Sequence, residues 1–171
     1  MRWQDRNIVL IGMPGSGKTS VGKILASRLR RDFYDVDHWI ESGEGETIGE
    51  IFLKRGEEYF RRLESVAVKT LSEKTGIIIA TGGGVVTRGE NIDKLKRTGI
   101  VFFINRPIED IARDIDSSTR PLLSDDTHRI FALFEERRRL YEDSCDFEVR
   151  GLGDVCDTVE DVVRIFRRVE E

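Results

Sequence analysis

The run Gly12-Met13-Pro14-Gly15-Ser16-Gly17-Lys18-Thr19 decides how this chain is read. It matches the phosphate-loop pattern G-x-x-x-x-G-K-[ST]. The apolar stretch Ile8-Val9-Leu10-Ile11 precedes it and a helical pattern follows it. That is the strand–loop–helix setting the pattern needs. Three glycines let the backbone take conformations that a Cβ forbids, so successive N–H groups turn inward around phosphate. Lys18 is then expected to reach the β- and γ-phosphates, and the Thr19 hydroxyl to ligate Mg2+. A helix opening near Lys18 aims its positive dipole end at the same anion. Gly12, Gly15, Ser16, Gly17, Lys18, Thr19 and Ser20 are the expected contacts to a nucleoside triphosphate.

Size and charge narrow what else the chain does. Its 171 residues suit one domain, 1–171, with a sizeable core. Lys and Arg number 28 against 32 Asp and Glu, a net charge of −4, so no basic stripe for duplex nucleic acid is expected. No apolar stretch approaches the roughly 18 residues that span a bilayer. The start, Met1-Arg2-Trp3-Gln4-Asp5-Arg6, lacks the apolar centre of a signal peptide. Cys145 and Cys156 have no metal-ligand spacing, and His38 and His128 stand far apart. These features predict a cytoplasmic protein with two free thiols, a monomer without nucleic-acid or membrane partners.

Apolar runs at 7–11, 33–36, 77–80, 100–104 and 145–149 read as strands. Helical spacing falls at 18–30, 57–73, 91–97, 127–141 and 159–169, with a further helix from Pro107 to about 114. Thr47-x-x-Glu50 is a capping-box signature for a short helix that Gly56 ends. Strands apolar throughout, alternating with helices, indicate a parallel sheet covered on both faces. Ligands gather at the carboxyl ends of such strands. Three unusual loops fall there: the phosphate loop, Asp35-Val36-Asp37 and Gly82-Gly83-Gly84.

Asp35 and Asp37, two apart on an extended chain, are expected to point the same way. Beside a phosphate loop one acid supports Mg2+ and the other accepts a proton from an attacking hydroxyl. Solvated loop acids, or a helix cap, are the ordinary alternative. Arg61 and Glu64 lie three apart and share a helical face, where a surface ion pair is equally common. Arg137 interrupts an apolar stripe formed by Leu133, Phe134 and Tyr141. A guanidinium so placed needs an anion, either a ligand or an internal carboxylate. Three consecutive glycines allow close approach of backbone to ligand. The polar stretch 116–126, with Arg120 at its centre and Arg113 before it, has the character of a lid that folds onto the triphosphate.

Taken together, these residues resemble the shikimate kinase family along nearly the whole chain. The distinguishing set is Asp35-Val36-Asp37, Phe60-Arg61-Arg62-Leu63-Glu64, Gly82-Gly83-Gly84, Arg120-Pro121-Leu122-Leu123, and Arg137 ahead of Leu140-Tyr141. The resemblance implies an α/β P-loop kinase fold with a five-stranded parallel sheet in the order 2-3-1-4-5. It implies transfer of the ATP γ-phosphate to the 3-hydroxyl of shikimate, with Mg2+. It makes Lys18, Asp37 and Arg120 catalytic, and Thr19 and Asp35 the metal residues. It gives Asp37, Arg61, Gly83, Gly84 and Arg137 to the substrate, with Glu64 orienting Arg61 and Phe52 and Phe60 walling the pocket. Arg113 takes the position that stacks near adenine. One departure is the loop Arg150-Gly151-Leu152-Gly153-Asp154-Val155, which lacks the proline usual in the family's second adenine loop. The rival readings are a gluconate kinase of the same fold and a regulatory module that only binds nucleotide.

Overall fold

Five short apolar runs separated by helices can hide both of their faces only in a parallel sheet with helices on each side. The computed structural model, which describes residues 5–117 and 124–169 and the side chains of all of these except 115–117 and 124–127, has that arrangement. In chain order the elements are β1 (Asn7–Ile11), α1 (Lys18–Leu29), β2 (Phe33–Asp35), α2 (Val36–Glu44) and α3 (Ile48–Ser72). Next come β3 (Ile78–Ala80), a 3-10 turn (Val85–Thr87), α4 (Gly89–Thr98), β4 (Gly99–Asn105) and α5 (Ile108–Ser117). The chain closes with α6 (Ser124–Ser144), β5 (Phe147–Arg150) and α7 (Val155–Arg168). The sheet order is β2-β3-β1-β4-β5, and every pairing is parallel.

Strand alternation divides the core into two layers. Val9, Ile11, Ile79, Val101 and Phe103 face α2 to α6, where they meet Val68, Leu71 and Tyr141. Ile8, Leu10, Ile78, Ile100 and Phe102 face the other way, towards Leu25 of α1 and Val159, Val162 and Phe166 of α7. Removing one such buried Leu or Ile side chain down to Ala costs about 2–5 kcal/mol. Asn7 is the polar exception in the central strand, and it is fully buried. Its amide donates to Lys74 O at 2.8 Å, and its oxygen accepts from Ile77 N at 3.0 Å. It thereby ties the start of β1 to the segment entering β3.

The differences from the expected elements have local causes. β2 ends at Asp35, one residue early, because the Asp35 carboxylate caps α2 by accepting from the backbone N–H groups of Asp37 and His38. Asp37 therefore lies in the first turn of a helix, not on an extended chain. Asp154 caps α7 by accepting from Cys156 N at 3.0 Å, so that helix starts four residues before the expected position. The Thr47–Glu50 capping box is formed in both directions. Gly56 sits at φ 81°, ψ 171°, so Ile48–Ser72 is two helices meeting at a kink. That backbone region is essentially reserved for glycine. The ends of the 116–126 stretch belong to α5 and α6. Arg120, expected as the lid arginine, lies outside the described residues.

Candidate active site

The phosphate loop folds as its glycines require. Gly17 takes a left-handed φ of 92° and opens α1, whose first residue is Lys18. Lys18 is buried, and its ammonium donates to Gly12 O at 2.9 Å and Met13 O at 2.8 Å. Burial lowers its pKa to about 8, against the upward pull of Asp37 and Asp35. A lysine held by two carbonyls inside the loop is poised to exchange them for phosphate oxygens. Ser20 and Thr19 are exposed in the first turn of α1, and Ser16 is buried inside the loop.

Two acids stand beside this loop at the β2–α2 junction. Asp35 does two things at once. One oxygen caps α2, and the other accepts from the Thr19 hydroxyl at 2.6 Å. The helix cap, the ordinary alternative, is thus present, together with a hydrogen bond from Thr19. Asp37 points its Oδ1 into the interior, where that oxygen has no hydrogen-bond partner among the described residues. Burial raises its pKa, and the neighbouring Asp35 charge raises it further, while Lys18 and Arg61 pull it down. The two acids share a cleft of about 440 Å3 with Lys18, Thr19, Gly82 and Gly83. A larger open cavity, about 710 Å3, adjoins it on the far side of Thr19, Asp35 and Asp37 and is walled by Phe33, Tyr34 and Trp39.

The third loop brings the cations of α3 and α6 to the same place. A Cβ on Gly82 would meet Asp37 Oδ1 at 2.8 Å and Glu64 Oε1 at 3.1 Å. A Cβ on Gly84 would overlap the Arg61 guanidinium. These glycines are therefore needed for space. Glu64 is fully buried, and its Oε2 accepts from Arg61 Nη1 at 2.9 Å. Burial raises the Glu64 pKa in spite of that pairing. Burial also works against the Arg61 charge, but Glu64 and Glu57 outweigh it and hold the guanidinium above its ordinary value. The pair is an interior one, not the surface ion pair that its spacing equally allowed. Phe60 is buried under Arg61, whose Cζ lies 5.2 Å from the ring centroid, and Phe52 packs on Phe60 at 4.9 Å. Arg137 is half-buried on α6, and its Nε is buried with no partner among the described residues. Its charge acts on Glu64 and on the Tyr141 phenol.

Arg113 stands apart from this cluster. It is exposed on α5 and donates to Asp110 at 3.0 Å. A second cleft, about 250 Å3, opens beside Ser16, Gly17 and Ser20 and runs to Gly151, Gly153 and Thr158. Arg106 lines it, donating to Gly15 O at 3.1 Å and pairing with Asp114 at 2.6 Å. Sequence reading missed Arg106. Its signal was its place just past the carboxyl end of β4, next to the phosphate loop.

The residues present suit a divalent metal of the Mg2+ type. Thr19 and Asp35 converge as hard oxygen donors at the mouth of the phosphate loop. Among the described residues no group of three or more His, Cys, Asp and Glu converges. Mg2+ typically takes one or two protein ligands and completes its shell with phosphate and water, which this donor set matches. No helix among the described residues is long and apolar enough to cross a membrane.

Comparison with known proteins places this geometry. The sequence profile of the shikimate kinase family matches residues 14–165. The shikimate kinase of Clostridium botulinum (strain Alaska E43 / Type E3) is 42% identical over 158 residues, covering 92% of this chain and 95% of its own. The shikimate kinase from Acinetobacter baumannii, solved in complex with shikimate, superposes with a TM-score of 0.89 at 34% identity, over 96% of this chain and 94% of its own. A gluconokinase from Sinorhizobium meliloti 1021 shares the fold alone, with a TM-score of 0.60 at 15% identity over 99% of this chain and 95% of its own. The chain belongs to the shikimate kinase family, ATP-dependent kinases that transfer a phosphoryl group to shikimate.

Proposed function

We propose that this chain, acting as one kinase domain with a lid near 116–126, phosphorylates the 3-hydroxyl of shikimate through the residues gathered around Gly82-Gly83-Gly84. The observation that carries the reading is the convergence at that loop of an acid from the phosphate side, Asp37, and a cation from the other, Arg61. Arg61, held by Glu64, and Arg137, whose Nε has no partner among the described residues, grip the acceptor's carboxylate. Gly83 and Gly84 supply backbone contacts, and Phe52 and Phe60 wall the apolar ring face.

In the transfer step the acceptor oxygen attacks the γ-phosphorus as its proton passes to Asp37. The bond from that phosphorus to the ADP oxygen breaks, and ADP leaves. The raised pKa of Asp37 makes it a better proton acceptor than an ordinary carboxylate. Lys18 leaves its loop carbonyls and neutralises charge on the transferring group, the main task left to the protein in phosphoryl transfer. Mg2+, held by Thr19 and through water by Asp35, would offset negative charge on the phosphates. The resemblance gives Arg120 to the triphosphate and Arg113 to the adenine. Use of ATP and two cysteines outside any disulfide support a cytoplasmic location.

An ADP-release assay with ATP and Mg2+ tests the acceptor. Release that depends on shikimate, and is absent with gluconate and with no acceptor, is the expected result. Release with gluconate alone sinks the reading. Binding of ATP without turnover on any acceptor would restore the regulatory-module alternative.

A further inference from the structure

We propose that Tyr141 is a positioning residue for the acceptor half of the site: its hydroxyl fixes the peptide between Gly83 and Gly84, and its ring fixes the helix that carries Arg137. The proposal rests on the acceptor reading given above.

Tyr141 lies one helical turn after Arg137 on α6, and its side chain is fully buried. Its ring stacks on Phe103 of β4, with centroids 5.1 Å apart and planes 18° from parallel. The hydroxyl donates to Gly83 O at 2.6 Å, and the sulfur of Met13, inside the phosphate loop, lies 3.7 Å away. One side chain therefore touches the central sheet, the phosphate loop and the triple-glycine loop, from the helix of Arg137.

The bond matters because of where it lands. Gly82-Gly83-Gly84 has no Cβ to restrict its backbone, so its peptide planes have more freedom than those of any other sequence. A trans peptide points the carbonyl of one residue and the N–H of the next in opposite directions. Holding Gly83 O therefore also sets the direction of the Gly84 N–H. Gly84 is the residue against which the Arg61 guanidinium lies. The same hydroxyl thus sets a backbone donor beside the Arg61 guanidinium.

The phenol keeps its proton while it does so. Burial pushes its pKa up to about 12, although the Arg137 charge and the hydrogen bond that Arg137 donates to the phenol oxygen pull against that. It is a neutral donor throughout the neutral range, and no proton moves through it. Tyr141 is therefore separate from the Asp37 chemistry and acts only through the groups that it holds.

Tyr141→Phe keeps the stacked ring and removes only the hydroxyl. The expected result is a rise in KM for shikimate of roughly 3- to 10-fold, the worth of one hydrogen bond in affinity. KM for ATP should stay within about 2-fold. Hydrogen exchange should speed up in the segment 82–87 and not in α1 or β4. An unchanged shikimate KM in the folded variant overturns the proposal. So does a matched rise in both KM values, or loss of cooperative unfolding, because either marks a residue that holds the fold and not the acceptor site. The exchange measurement needs no substrate. If wild type does not use shikimate, the functional reading fails, while the exchange result still judges the role of Tyr141.

Discussion

Thr19 donates its hydroxyl to Asp35 Oδ2 at 2.6 Å while Asp35 Oδ1 caps α2 through two backbone N–H groups. The two oxygens of one carboxylate have separate partners, the Thr19 hydroxyl for one and the start of α2 for the other. Substitution should separate them. Asparagine caps a helix as well as aspartate does, so Asp35→Asn is expected to leave thermal stability nearly unchanged. It removes the charge, so half-maximal activity should need several-fold more Mg2+. Asp35→Ala loses the cap as well, and a further destabilisation of about 1 kcal/mol is expected. Thermal unfolding and Mg2+ titration of both variants check this. Equal melting temperatures for the two variants would count against the capping role.

Lys18 couples nucleotide binding to pH. In the free site burial places its pKa at about 8. A bound triphosphate replaces two neutral carbonyls with anionic oxygens and raises that value. A lysine whose pKa rises on gaining a partner contributes affinity that is fully present below the free value and is lost as pH climbs through it. ATP affinity should therefore be flat from pH 7 to about 8 and then fall by up to about tenfold per unit. Lys18→Ala should weaken binding, abolish transfer and flatten this limb. Calorimetric titration of ATP across that range is the measurement, and a flat wild-type profile refutes the coupling.

Gly82→Ala tests the crowding beside the acids. The added Cβ would stand 2.8 Å from Asp37 Oδ1, closer than real Cβ contacts come, and 3.1 Å from Glu64 Oε1, tighter than most. Both oxygens are buried and must yield. If Asp37 is the proton acceptor proposed above, displacing it by a fraction of an ångström is expected to lower kcat by about tenfold or more. ATP affinity should hardly change, since the phosphate loop is untouched. Steady-state kinetics and ATP titration of Gly82→Ala decide it. Unchanged kcat would mean that Asp37 does not need its observed position.

The parts of this site that could be read from sequence are those set by local chemistry. The phosphate loop needs only its own eight residues and their flanks. Arg137 was legible because it breaks an apolar stripe. Asp35 and Asp37 were read correctly as a pair but for the wrong geometry, since an N-cap and a first helical turn bring them together, not strand alternation. Arg106 and Tyr141 were illegible for a physical reason. Their partners, Gly15 O and Gly83 O, lie 91 and 58 residues away, and only the packing of β4 and α6 on the sheet brings them into reach. The burial of the Arg61–Glu64 pair depends likewise on Gly82 and Gly84 leaving room for it, which i,i+3 spacing cannot disclose.

Arg137 offers the sharpest test of the acceptor site. Its Nε is buried without a partner among the described residues, while its charge already acts on Glu64 and the Tyr141 phenol. An unpaired buried N–H on a guanidinium is costly unless an anion arrives to accept from it. A guanidinium binds a carboxylate through two parallel hydrogen bonds, and an ammonium cannot reproduce that geometry. Arg137→Lys keeps the charge and loses the fork. Shikimate affinity should fall by about 1.5–3 kcal/mol, or roughly 10- to 150-fold. ATP affinity should stay within about 2-fold, because the nucleotide is held across the cleft by the phosphate loop. Titrating both ligands into wild type and variant separates the two effects. If the variant binds shikimate as tightly as wild type, Arg137 serves Glu64 and Tyr141, and the carboxylate grip falls to Arg61.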